Sequence, residues 1–352
     1  MYFYPIIIIT IVSFILSIAL HFAAIFIFPT VGLLDFPEKY GLTRKRIPYP
    51  TGIISVLLFL IIFSLFQIFL YENWSIQNIG IIVAVILLFI VSFIDDKYEI
   101  KASLRIFFQI IAALIVFAAG TRIFSLTNPL ENVTGFPVIP LDTFVIPWPA
   151  LSDPSIVGAL FTIIWLGITT NALNWFDGIP GQVSLVSAIG FLTIGILSIS
   201  TRIDQPILAI LCFSLFAIAG GGFFFEFPKQ KILQGDTGAM FYGFMLGIVT
   251  IYAGGKVATA FLVLGIPLID FILVLNRRLI KGIPIFKGNT ENEHLHHRLQ
   301  KKGWSQGHII LLTASIGSAF GISALFFTTF EKLIAAVSLF MVMIVLSIYT
   351  EK

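Results

Sequence analysis

The chain has 352 residues, with 21 basic and 18 acidic side chains, so 11% is charged against roughly 25% in an ordinary soluble domain. Hydrophobic residues make up 58%, Phe alone fills 37 positions, and mean hydropathy is +1.02. That composition cannot clothe a globule in polar surface, which excludes a soluble enzyme, a nucleic-acid binder and a disordered chain.

The expectation is therefore an all-α integral membrane protein. Apolar stretches of about 16 to 26 residues recur along the chain, long enough to cross a bilayer as helices. Eleven are predicted, with ten as the alternative count: 5–30, 51–71, 79–94, 102–120, 156–173, 182–200, 206–225, 238–254, 257–276, 309–328 and 333–350. The first lacks a basic flank and a small-residue cleavage site, so it reads as a retained span and not a leader. No connection is long enough for a soluble domain, and residues 1–352 are read as one transmembrane domain. The single cysteine, Cys212, excludes a disulfide framework. The Pro-rich connection 121–155 is expected to lie along the membrane surface, with short strands.

Seventeen of the 21 Lys and Arg residues fall on one set of connections, which the positive-inside rule assigns to the cytoplasm with the N-terminus outside. By the same segmentation 12 of the 18 acids share that side, and anchoring does not account for acids. The inner connections are about 31–50, 95–101, 174–181, 226–237 and 277–308, and each carries a polar motif.

In the first, Arg44-Lys45-Arg46 followed by Pro48, Pro50 and Gly52 reads either as a membrane anchor or as a folded-back loop presenting Lys45 or a neighbour to a phosphate. In the second, Asp95 and Asp96 sit side by side at a membrane boundary. Their repulsion suits a bound cation or a raised pKa, hence a metal site or a general base. In the third, Asn171, Asn174 and Asp177 advance by three, which places them within one arc of a helix end, to bind a polar ligand or to cap the helix. In the fourth, Asp236 in Gly235-Asp236-Thr237-Gly238 is equally suited to an N-cap and to a metal-bound phosphate at a helix start. The fifth runs Asn292-Glu293-His294-Leu295-His296-His297-Arg298. Contiguous histidines lack the usual zinc spacing and suit pyrophosphate better, although a solvated loop would look the same. Asp270, inside the span 257–276, either carries function or bonds between helices.

Carboxylates for Mg²⁺, cations and imidazoles for phosphate oxygens, and access to a bilayer together favour phosphoryl transfer between a soluble nucleotide compound and a lipid. The rival class is an ion-coupled transporter. It would place its acids at the midplane, whereas only Asp270 is clearly inside a span.

The motifs, in order, resemble those of the polyprenyl-phosphate N-acetylhexosamine-1-phosphate transferases, glycosyltransferase family 4. The segment from Arg277-Arg278 through His294-Leu295-His296-His297 is most similar to the undecaprenyl-phosphate N-acetylglucosamine branch, with phospho-N-acetylmuramoyl-pentapeptide transferase as the alternative within the family. The resemblance implies transfer of a sugar 1-phosphate from a UDP-N-acetylhexosamine to undecaprenyl phosphate at the cytoplasmic face of the inner membrane. UMP is released, and the product feeds cell wall or lipopolysaccharide synthesis. It implies that Asp236 coordinates Mg²⁺ (or Mn²⁺), with Asp95 and Asp96 holding the metal or activating the lipid phosphate. His294, His296, His297 and Arg298 would bind the pyrophosphate side, Lys45 would face phosphate, and Asn171, Asn174 and Asp177 would line the nucleotide-sugar pocket. The sequence departs from the family pattern at Pro180, where a second Asp is common, and at Thr51, Glu99 and Ala239. The sugar, the pathway and the oligomeric state, a homodimer included, stay open.

Overall fold

The computed structural model describes residues 3–41, 43–70, 75–147, 154–201, 203–254, 257–284 and 293–351. Each of the eleven apolar stretches is helical. The first four form α1 (Phe3–Thr30), α2 (Gly52–Leu70), α3 (Ile76–Tyr98) and α4 (Ala102–Ala118). A small antiparallel hairpin follows, β1 (Ser125–Thr127) with β2 (Val138–Pro140), enclosing the one-turn α5 (Glu131–Thr134). Then come α6 (Ile156–Phe176), α7 (Gln182–Ile199), α8 (Pro206–Glu226) and α9 (Gly235–Tyr252). The chain continues through α10 (Val257–Val263), α11 (Gly265–Ile280), α12 (Leu295–Lys301), α13 (Gln306–Phe326) and α14 (Thr329–Glu351). Seven of the described helices are long and apolar enough to cross a membrane.

Apolar composition alone does not set where these helices start, and at three of them a serine cap does. The hydroxyls of Ser75, Ser155 and Ser305 accept the backbone N–H groups of Asn78, Gly158 and His308, which closes the first turns of α3, α6 and α13. The predicted span 257–276 is not one helix, and this corrects the segmentation. It breaks at Leu264 between α10 and α11. The cause is Pro267, which has no N–H to offer the carbonyl of Val263 and whose ring crowds it.

Helix α9 is the axis of the bundle, with every residue from Thr237 to Ile251 buried. It can be so deep because its glycines let neighbours close in. A Cβ on Gly243 would lie 2.6 Å from the Thr169 carbonyl oxygen of α6. At the other end, a Cβ on Gly52 would lie 2.2 Å from the Gly238 nitrogen, so the starts of α2 and α9 touch backbone to backbone. The preceding segments pair there: Leu233 N–H donates to the Pro48 carbonyl at 3.0 Å, and Thr51 N–H to the Leu233 carbonyl at 2.8 Å. This contact joins the first and fourth polar connections, 182 residues apart at Thr51 and Leu233.

Candidate active site

Four of the five polar connections open onto one cleft of about 970 Å³. Its floor is acidic. Asp96, at the end of α3, accepts four hydrogen bonds. Its Oδ1 takes the Tyr49 hydroxyl at 2.6 Å and the Asp236 N–H at 2.7 Å. Its Oδ2 takes the Thr237 N–H at 2.9 Å and the Thr237 hydroxyl at 2.5 Å. The N-cap position of α9, Gln234, makes no side-chain cap, so Asp96 closes that helix from another element. Asp95 is 5% exposed and equally committed: Oδ1 accepts the Ile100 N–H at 2.9 Å, and Oδ2 accepts Arg105 at 2.7 Å. The same Arg105 nitrogen reaches Asp236 Oδ2 at 2.9 Å. Asp236 is the open member, with its side chain 32% exposed to the cleft. Burial, followed by the charges of Asp96 and Asp95, raises its proton affinity well above the ordinary range, and Arg105 opposes them.

The wall comes from the end of α6. Asn171 donates to Gln109 Oε1 at 2.6 Å and to the Gly167 carbonyl at 2.8 Å, which holds it across from α4. The Asn174 Nδ2 is buried and has no partner among the described residues. Asp177 follows the last helical turn, half-buried. Burial, then Glu226 and Asp96, push its pKa up to about 8. Trp175 lines the cleft too, sandwiched against the ring of Phe271 at 4.8 Å and the Arg278 guanidinium at 4.8 Å.

The histidines stand behind this wall. Asp270 of α11 accepts the backbone N–H of Leu295 at 2.9 Å and lies 2.8 Å from His294 Nδ1, so it closes the start of α12. His294 and His296 are 0% and 1% exposed, stacked nearly parallel with ring centres 5.6 Å apart. A Cβ on Gly178 would fall 1.9 Å from His296 Nε2, so only glycine lets that imidazole seat against the turn after Asp177. Neither ring nitrogen of His296 has a partner among the described residues. Burial, followed by the neighbouring His297 and His294, holds the ring well below the usual histidine pKa. His297 is half-buried with its ring centre 4.2 Å from that of His296. Arg298 turns away, to the Ser347 carbonyl at 3.3 Å and Glu351 at 3.5 Å on α14.

The structure thus gathers Asp95, Asp96, Asn171, Asn174, Asp177 and Asp236 around one cavity. It sets His294, His296, His297 and Arg298 one layer back, and it leaves Lys45 exposed outside the lining. Arg44 lines the cleft instead, paired with Asp35 at 2.5 Å. Asn292 lies outside the described residues. Sequence reasoning missed Arg105, Tyr49 and Glu226. Arg105 had a signal: it falls inside the apolar stretch 102–120, where a base is costly. Glu226 had the same signal as Asp95, an acid directly after a predicted span, and Tyr49 had none.

The donor set bears on the metal. Among the described residues no group of three or more His, Cys, Asp or Glu side chains could hold an ion. Octahedral Mg²⁺ needs no such cage, since it takes one or two carboxylates and completes its shell with water and phosphate. One exposed carboxylate in an open cleft fits that ion and does not fit structural zinc.

A family model described as Glycosyl transferase family 4 matches residues 78–254, half of the chain. The probable undecaprenyl-phosphate N-acetylglucosaminyl 1-phosphate transferase of Bacillus subtilis is 28% identical over 280 residues, 77% of this chain and 72% of the relative. The undecaprenyl-phosphate alpha-N-acetylglucosaminyl 1-phosphate transferases of Yersinia pestis and Escherichia coli K12 are 26% and 25% identical. They cover 88% and 84% of this chain and 81% and 77% of their own.

Proposed function

The chain belongs to glycosyl transferase family 4, and from that premise we propose that it transfers N-acetylglucosamine 1-phosphate from the UDP-sugar to undecaprenyl phosphate at the cytoplasmic face of the inner membrane. The observation that carries the reading is the open Asp236 carboxylate above a floor of committed acids, in a cleft that also has apolar walls. Leu34, Phe36, Phe93 and Ile106 line the same cavity and suit the start of a lipid tail, while Asn174 and Asp177 suit a sugar nucleotide.

Asp236 would hold Mg²⁺, with Asp95 beside it, and the ion would neutralise phosphate charge as it develops. Asp96 positions Asp236 by capping α9 through its N–H. Arg105 neutralises Asp95 and Asp236 in the resting site and would turn toward a substrate phosphate when they take the cation. A lipid-phosphate oxygen attacks the β-phosphorus, the bond to the bridging oxygen breaks, and UMP leaves with the electron pair. Such a transfer asks for orientation and charge placement more than for covalent help from the protein. His294 and His296 back the wall that carries Trp175 and Gly178, so they set the shape of the nucleotide side from behind.

The test supplies purified protein with undecaprenyl phosphate, Mg²⁺ and labelled UDP-sugars. UMP and a labelled lipid diphosphate are the expected products, with UDP-N-acetylglucosamine the preferred donor. Failure of every donor to release UMP would overturn the reading; preference for the muramoyl-pentapeptide donor would overturn the choice of sugar.

A further inference from the structure

The connection between α4 and α6 takes no part in the proposed reaction. Between Ile123 and Pro147 its charged residues are Glu131 and Asp142, with no Lys or Arg. It nevertheless leaves large apolar side chains open: Val133 is 83% exposed, Phe144 78% and Phe136 70%. Val138 and Ile139 of β2 are both exposed, although successive strand residues point to opposite faces. Neither face of β2 is therefore closed by protein, while β1 beside it is half-buried, with Leu126 packed on the core.

Hydrogen bonds fix its depth. The Ile123 N–H donates to the Thr162 hydroxyl at 3.1 Å, and the Ser155 hydroxyl donates to the carbonyls of Leu141 and Thr143 at 2.6 and 2.7 Å. A Cβ on Gly158 would lie 3.2 Å from the Ile123 carbonyl oxygen, so the first turns of α6 press directly on the root of the hairpin. Thr162 is about 9 Å along the helix axis from Ile156. The root thus lies beside an apolar, membrane-spanning candidate and not beyond its end. The exposed surface is also continuous with that helix. Ile156, itself exposed, donates its N–H to the Phe144 carbonyl at 3.3 Å, and Leu160 one turn on is 57% exposed.

We propose that residues 124–146 are an interfacial pad that embeds Val133, Phe136 and Phe144 in the headgroup–acyl boundary of the bilayer. The occupant is lipid because the pad continues a lipid-facing helix surface and carries almost no charge. It is the boundary and not the hydrocarbon core because the strand edges keep backbone groups that need water. Seated there, the pad sets the depth of α4 and α6, whose far ends deliver Arg105, Asn171 and Asn174 to the cleft.

Cys212 is fully buried, so Cys212→Ala gives a full-length background for single labels. In it, Val133→Cys, Phe136→Cys and Phe144→Cys each carry an environment-sensitive fluorophore, with Lys302→Cys as the water-exposed control. In phosphatidylcholine proteoliposomes the three pad labels should emit to the blue of the control. They should also be quenched more by nitroxide-bearing lipid than by aqueous iodide. Labels that behave like the Lys302→Cys control would overturn the proposal. So would labels that are wet in pure lipid and shielded only in native membranes, since that pattern assigns the surface to a protein partner.

Discussion

Two helices in this protein, α9 and α12, begin at a carboxylate supplied by a different helix. Asp96 of α3 closes α9, and Asp270 of α11 closes α12. The device is the same and the outcome differs. Beside Asp96 the next acid, Asp236, keeps its side chain 32% exposed to a cleft. Beside Asp270 the next titratable group, His294, is 0% exposed and sealed between Trp175 and His296. An acid at a helix start becomes chemistry or scaffold according to what its lone pairs already hold and whether a neighbour stays open.

That contrast can be broken by substitution. The largest effect is expected from Asp236→Asn, which should lower turnover by roughly 10²–10³-fold or more while leaving thermal unfolding near that of the parent. A variant that unfolds early would make Asp236 a structural acid like the others. Next, Asp270→Ala should destabilise by about 1–3 kcal/mol in a denaturation series, since it removes the acceptor of the buried Leu295 N–H and one partner of the His294 ring. Wild-type stability with lost turnover would instead place His294 in the chemistry. Asp96→Ala should do some of both. Loss of the α9 cap costs about 1–2 kcal/mol, and turnover falls because Asp236 is no longer held; unchanged stability would separate Asp96 from α9.

A smaller effect should follow pH. The folded pKa of Asp177 lies near 8, above its unfolded value of 3.8, so the native state keeps a proton that the unfolded chain has lost. That contribution to stability is complete below about pH 4 and shrinks as pH rises toward 8. Melting temperature should therefore decline between pH 5 and 8, and Asp177→Asn should flatten the decline. An identical slope in the variant would remove Asp177 as its source. Smallest of all, Lys45→Ala should change stability by no more than about 0.5 kcal/mol and leave turnover nearly intact, whereas Arg44→Ala should reduce turnover. The reverse order would restore Lys45 as the phosphate contact.

Much of the fold was legible because each apolar stretch must satisfy its backbone internally, and eleven stretches became helices on that account. The break at Leu264 was legible in principle from Pro267 but was hidden by unbroken hydropathy. At the site, the spacing of Asn171, Asn174 and Asp177 already placed three groups on one face, and all three line the cleft. Asp95, Asp96 and Asp236 were recognisable as acids at a boundary, yet their division of labour was not. It depends on Tyr49, Thr237 and Arg105, which lie up to 141 residues away. Lys45 and Arg44 are adjacent and chemically alike, so only the course of the loop could choose between them.

Hydropathy and charge act locally and are read residue by residue, and they were enough to establish a helical membrane protein with acids at the ends of several apolar stretches. Which acid stays open, which histidine is sealed and which base neutralises the floor were decided only by the tertiary structure. Those properties belong to hydrogen bonds and buried surfaces between helices that the chain brings together from far apart.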